Sequence, residues 1–145
     1  MINIPKFLYR IAYSDTDAGG IVYHARYFEI AERSRNEHLH HFGYTFNKIH
    51  KEFNLQFVVN MGKGIYKSPA FLDDLLLAQD EIEYYSPAMI IWKTSFKRLD
   101  MDICSIIVRL AAIAPDSHQI SIIPDQILEL FGRIQESLKY YSGIF

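Results

Sequence analysis

Hydrophobic and polar positions follow a period of two at the start of the chain and then change to steps of three and four. Phe7, Tyr9, Ile11 and Tyr13 fall on alternate positions, the period of a β-strand. Ser14–Gly20, rich in Asp and Gly, reads as a loop. From about Tyr23 the spacing is helical. Phe28, Ala31, Arg35, Leu39 and Phe42 form one stripe, and Tyr27, Ala31, Ser34 and His38 lie beside it. Glu29 and Arg33 stand four apart in the favourable order, and Gly43 is a plausible stop. Small and polar residues among the apolar ones (Ala25, Ala31, Ser34, Asn36) suit close packing against a sheet.

A second short helix is expected over Thr45–Glu52, followed by a succession of strands. Leu55–Asn60 and Gly64–Lys67 read as two short strands, the second ended by Ser68 and Pro69. Leu75–Tyr85 and Met89–Leu99 alternate, and Ile103–Ala114 is apolar enough to be buried on both faces. Asp100–Asp102 is the expected turn between the last two. Pro124 opens a terminal helix with Ile127, Phe131, Ile134 and Leu138 at helical spacing. The order is strand, long helix, antiparallel strands, helix. That predicts an α+β fold in which an antiparallel sheet wraps around a long central helix.

Composition narrows the class. A chain of 145 residues predicts a single domain over 1–145. Ten Tyr and ten Phe call for large buried surfaces or interfaces. The net charge of -2 gives no sign of nucleic-acid or membrane-surface binding. One cysteine, Cys104, excludes an internal disulfide and fits a reducing compartment; it sits in an apolar run where nothing nearby would activate a thiol. No segment has the form of a signal peptide or the length of a membrane span, so the expected location is cytoplasmic.

The candidate chemistry lies where the acidic loop meets the helix. Asp17 and His24 flank Gly19 and Gly20, residues that let backbone approach a ligand closely. With a helix starting near Tyr23, the N–H groups around Tyr23, His24 and Ala25 have no partner within it and are able to hold a carbonyl oxygen. Asp17 then serves as a general base on water or as a nucleophile, and His24 donates to the carbonyl or orients the water. The competing reading is structural: Asp15, Thr16 and Asp17 simply form a turn and cap the helix.

Asp15–Arg35 reads DTDAGGIVYHARYFEIAERSR. This stretch resembles the hotdog-fold acyl-CoA thioesterases, in particular the 4-hydroxybenzoyl-CoA thioesterase-like, YbgC-like subgroup. The similarity continues more weakly through residues 57–60 and 67–74 and covers about Phe7 to Ala114. The resemblance implies hydrolysis of an acyl thioester, carried by coenzyme A or acyl carrier protein, to a carboxylic acid and free thiol. It implies no cofactor and no metal. Asp17 would be the essential carboxylate and Asp15 structural. His24 would be an active-site histidine, and the N–H of Tyr23 or His24 would polarise the carbonyl. Gly20, Val22, Ser68 and Pro69 would line the substrate. Glu32 and Arg35 would support the fold. A homodimer or homotetramer with sites at the subunit interface is implied as well. Two other functions fit the same fold: a non-catalytic acyl-thioester sensor or assembly factor, and a hydratase acting on enoyl thioesters.

Other features have plainer readings. His38, His40 and His41 lie close on the helix, but the second Glu–His motif of helical metal sites is missing, so a polar helix end is the expectation. Lys93, Lys97 and Arg98 form a candidate phosphate patch, although strand edges ordinarily carry lysines. Phe57, Phe71 and Trp92 are candidates for an acyl pocket, with core packing as the default.

Overall fold

The computed structural model describes residues 5–142; residues 1–4 and 143–145 of the expected 1–145 domain lie outside it. In chain order the elements are β1 (Phe7–Arg10), α1 (Arg26–His41), α2 (Phe46–Phe53), β2 (Gln56–Tyr66), β3 (Leu75–Tyr85), β4 (Met89–Arg98), β5 (Met101–Ile113) and α3 (Asp125–Ser142). The five strands form one antiparallel sheet in the order β1-β3-β4-β5-β2. The expected α+β hotdog architecture is present, with α1 against the sheet and α3 packed on it as well.

One face of the sheet is apolar and covered. Leu76, Ala78 and Ile82 of β3, Ile90, Trp92 and Phe96 of β4, and Ile106, Val108 and Ala112 of β5 are buried at alternate positions. Helix α1 meets this face with Tyr27, Ile30, Ala31, Ser34, His38 and Leu39. Ile30 and Ala31 are fully buried, so the small residues do bring the helix close to the sheet. Helix α3 buries Ile127, Leu130, Phe131, Ile134 and Leu138, and the Phe131 ring meets Phe57 and Tyr85 edge-on. Arg133 lies over Phe42 at the end of α1 and ties the two helices together.

The two short strands expected at 55–60 and 64–67 are one strand, β2, with a bulge between Val59 and Met61. The extra residue is Asn60, and the Arg109 Nε donates to its Oδ1 at 2.8 Å. The bulge shifts the alternation by one position, which is why the sequence pattern divides there. Strand β5 is buried on one face only, with Ser105, Ile107, Arg109 and Ala111 half-buried on the other. The β4–β5 turn lies at Leu99 and Asp100, one residue earlier than expected, with Leu99 in the left-handed region at φ 53°. Glu29 pairs with Arg26 rather than with Arg33. Thr45 caps α2, its Oγ1 accepting the Lys48 N–H at 2.9 Å.

The contact of α1 with the sheet is polar at its centre. Asp80, on β3, points at the helix and is fully buried. Its Oδ1 accepts the Trp92 indole N–H at 2.7 Å and the Thr94 hydroxyl at 2.6 Å. Its Oδ2 accepts the Ser34 hydroxyl and pairs with His38 Nε2 at 2.9 Å. Burial pushes the Asp80 carboxyl up, but the bonds from His38, Ser34 and Thr94 outweigh it and hold the group below the ordinary carboxylate range. His38 is therefore a core residue with a carboxylate partner, and among the described residues no group of three or more His, Cys, Asp or Glu side chains is arranged around a metal position.

Asp80→Ala strips four donors of their acceptor in a dry interface, and a loss of about 3–5 kcal/mol in chemical unfolding is expected. The pH dependence follows from the lowered pKa. The contribution of Asp80 is complete above the unfolded carboxyl value of about 3.9 and is lost as pH falls through the lower folded value. Acid unfolding curves of the parent and of Asp80→Ala should converge at low pH; a constant gap between them contradicts the assignment.

Candidate active site

The loop before α1 is fixed from both sides. A single 3₁₀ turn at Tyr13–Asp15 buries the Asp15 carboxylate, which accepts the Tyr9 hydroxyl at 3.0 Å and the Ala12 N–H at 2.9 Å. Asp15 is thus committed to holding the loop, as its expected structural role requires. Asp17 is exposed. Its Oδ1 accepts the Gly19 N–H at 2.8 Å, and its carbonyl accepts the Gly20 N–H at 3.0 Å. Gly20 sits at φ +81°, a conformation glycine adopts without strain, and the turn closes with the Asp17 N–H on the Ile21 carbonyl.

The chain then runs alongside residues 70–71. Ile21 bridges Phe71, and the Val22 N–H donates to the Ala70 carbonyl at 2.9 Å. The Tyr23 N–H donates to the Asp15 carbonyl at 2.9 Å. Tyr23 is therefore occupied, and the N–H expected at Tyr23 or His24 is narrowed to His24. Helix α1 starts at Arg26, three residues later than the spacing predicts, with Ala25 as an N-cap that supplies no side-chain bond. The N–H groups of His24 and Ala25 accordingly have no acceptor among the described residues.

These features border a cleft of about 450 Å³ lined by Asp17, Ile21, Val22, His24, Tyr27, Tyr66, Lys67, Ser68 and Pro69. Of the residues expected at the site, Asp17, Val22, His24, Ser68 and Pro69 come together here, while Gly20 and Tyr23 shape its edge without lining it. Tyr66 reaches across from β2, and its hydroxyl donates to the His24 carbonyl at 2.8 Å. Its ring meets the His24 imidazole edge-on at 6.2 Å. Tyr27 is buried beneath, and burial raises its hydroxyl well above the ordinary tyrosine value, so it stays protonated. Sequence reasoning missed Tyr27 and Tyr66 at the site. The sequence signals of both were those of core and strand positions.

The wall at Ser68 and Pro69 is set by a second bulge. Ile103 is the extra residue in β5 opposite Phe96 and Lys97, and its carbonyl accepts both the Lys67 and Ser68 N–H groups at 2.9 and 3.1 Å. Arg98 then clamps the following loop, donating to the Asp74 carboxylate at 2.6 Å and to the Pro69 carbonyl at 3.2 Å. Burial acts to raise the Asp74 carboxyl, but the Phe71 N–H and Arg98 together hold it below the usual range. Arg98 is thus held on this loop, and Lys97 pairs with Asp102 at 3.7 Å, so two of the three residues of the candidate phosphate patch have carboxylate partners. The three aromatics that were candidates for an acyl pocket, with packing as their default, do not line this cleft. Trp92 is bonded to Asp80, Phe57 packs on Phe46 and Phe131, and Phe71 lies under Arg98. Burial pushes the Cys104 thiol up to about 12, which keeps it unreactive.

The sheet, the embedded helix and the cleft at its start have the hotdog architecture of known thioesterases. A probable thioesterase from Bartonella henselae superposes with a TM-score of 0.76 at 28% identity, over 83% of this chain and 98% of that one. The 1,4-dihydroxy-2-naphthoyl-CoA thioesterase of Synechocystis shares the fold, with a TM-score of 0.78 at 14% identity over 92% and 96% of the two chains. No family model matches the sequence. The acyl-CoA thioesterase YbgC of Haemophilus influenzae is 36% identical over 108 residues, 74% of this chain and 79% of that protein. The chain belongs to the YbgC acyl-CoA thioesterase family.

Arg98→Ala releases the 67–74 loop from β4, while the Asp17 turn keeps its own bonds from the Gly19 and Gly20 N–H groups. Its expected effect is a rise in KM of about tenfold with kcat changed far less, the pattern of lost substrate positioning. A fall in kcat at constant KM contradicts that role.

Proposed function

We propose that this protein hydrolyses acyl-CoA thioesters, with the scissile carbonyl held at the start of α1. The observation that carries the reading is that Asp17 and His24 line one cleft, with the His24 N–H lacking an acceptor among the described residues. A thioester carbonyl is already electrophilic, so positioning and charge stabilisation supply most of what hydrolysis needs. The carbonyl oxygen accepts the His24 N–H, which strengthens as negative charge develops. Asp17, exposed and accepting at its carboxylate from the Gly19 N–H alone among the described residues, takes the proton of an attacking water. Collapse of the tetrahedral adduct breaks the carbon–sulfur bond, and the coenzyme A thiolate leaves and takes up a proton. Attack by Asp17 itself, giving an anhydride that water then opens, uses the same geometry. Coenzyme A as carrier is supported by the name of the Haemophilus relative.

Asp17→Asn keeps the shape of the turn and removes the basic oxygen. A fall in kcat of about a hundredfold or more is expected in a thiol-release assay, with little change in melting temperature. Asp15→Asn should instead lower stability, because Asp15 is buried in the loop's hydrogen bonds. His24→Ala should lower kcat more than it raises KM, and His24→Gln should recover part of the loss. Parental turnover by Asp17→Asn contradicts the mechanism.

Assembly into at least a dimer is part of the same reading. Strand β2 is 11 residues long and lies at the outside of the sheet with one edge unpaired, and Val59, Ile65 and Tyr66 on it are exposed. Joining this edge to that of a second copy covers these residues and brings another chain beside the cleft. Light scattering is expected to give a dimer or tetramer at micromolar concentration; a fully active monomer contradicts the expectation.

A further inference from the structure

A second cleft, of about 440 Å³, lies between α1, α2 and the first residues of β2, and it shares no lining residue with the Asp17–His24 cleft. Arg35 lines it while being only 5% exposed. Among the described residues the guanidinium forms no ion pair and donates no hydrogen bond. Burial acts to lower its pKa, and the fields of Asp80 and Glu32 act against burial. Asp80 supplies a field but no oxygen, because both of its oxygens are taken by Trp92, Thr94, Ser34 and His38. Glu32 lines the same cleft from an exposed position and does not pair with Arg35. The next residue, Asn36, also lines the cleft, and its Oδ1 is buried with no partner among the described residues. An arginine stays charged and presents five N–H donors, so a buried guanidinium with none of them met is costly. Arg35, expected as a support of the fold, thus makes no bond within the fold.

We propose that this second cleft binds a free monocarboxylic acid, with the carboxylate on Arg35 and the hydrocarbon body against Phe46, Phe57 and Val59. The planar fork of a guanidinium matches the two oxygens of a carboxylate, and such charge-assisted pairs are the strong hydrogen bonds of protein sites. Asn36 adds an N–H to the anion when its amide turns over. Charge selects a monoanion. Arg35 is the one permanent cation among the lining residues and Glu32 stands in the same cleft, which leaves too little positive charge for a dianion such as a phosphate monoester. The remaining walls are apolar, and Leu55 and Leu110 continue the surface of Phe46, Phe57 and Val59. The volume falls within the range of small-molecule sites, about 300–1,000 Å³. The site is independent of the thioester reading, because binding to it requires no turnover.

The test is calorimetric binding of octanoate and of 1-octanol, the same body without the charge, to the parent and to Arg35→Gln, with light scattering alongside. The parent is expected to bind octanoate at least about tenfold tighter than octanol, and Arg35→Gln to lose that preference. Asn47, exposed on α2 and lining the cleft, supplies a second pair of variants should Arg35→Gln fold poorly. Asn47→Glu is expected to weaken octanoate binding a few-fold and Asn47→Lys to strengthen it, both effects shrinking at high salt. Equal binding of octanoate and octanol makes the cleft an apolar groove and overturns the proposal. A preference that survives in Arg35→Gln, or that neither Asn47 variant moves, places the acid elsewhere and overturns it too. Absence of octanoate binding to the parent, with the oligomer lost in Arg35→Gln, makes Arg35 a contact between subunits and also overturns it.

Discussion

A carboxylate buried at the centre of the helix–sheet contact holds this architecture in register. Asp80 sits where an apolar residue would make a simpler interface, and its Oδ1 accepts from Trp92 and Thr94 of β4 while its Oδ2 bonds Ser34 and His38 of α1. A buried charge is tolerable only when fully paired, and full pairing here allows one rotation and one height of α1 over β3 and β4. The position of the helix start, and with it the reactive turn, follows from that register. Ser34 and His38 fix the helix from within, while the residues that line the Asp17–His24 cleft lie two and more turns away at its open end.

The other constraint comes from irregularities in the strands. The bulge at Ile103 offers one carbonyl to two N–H groups and so places Ser68 and Pro69 opposite the Asp17 turn. The bulge at Asn60 re-aims β2 beside α1. Bulges bend a strand and release a residue from the ladder, and both are used here to form the sides of clefts. Glycines on β2 serve the complementary purpose, leaving space that Phe28 of α1 and Tyr66 at the strand's own end fill. Cleft shape is thus decided by where side chains are absent as much as by where they are present.

Charge placement separates the two aspartates of the Asp-Thr-Asp triplet. Asp15 faces inward and accepts from Tyr9 and Ala12, with Arg26 3.5 Å from its Oδ1. Asp17 faces outward and accepts only from Gly19 among its side-chain contacts. One carboxylate is tied down to hold the loop, and the other is left with lone pairs for a reacting water. Asp15 closes the 3₁₀ turn and Asp17 opens the glycine turn that follows, so the two carboxylates face different ways although one residue separates them.

Much of this was legible in order and period. The alternation in Leu75–Tyr85 and Met89–Leu99, the helical spacing of Tyr27, Ala31, Ser34 and His38, and the loop-to-helix motif at Asp17 and His24 depend on near neighbours in the chain, and local sequence determines such features. The sequence also marked Ser68 and Pro69 for the substrate cleft. What it left open depends on residues distant along the chain. Tyr23 loses its free N–H because Asp15 lies across the loop from it, and Arg98 becomes a clamp because Asp74 is brought under it. His38 becomes a core ligand of Asp80, 42 residues away, rather than part of a polar helix end. Helical period and strand alternation are properties of a segment, whereas hydrogen-bond partners and cleft walls arise only when segments meet. The sequence by itself therefore determined the elements and the Asp17 turn, and the tertiary structure decided which of its neighbours come together to line the cleft.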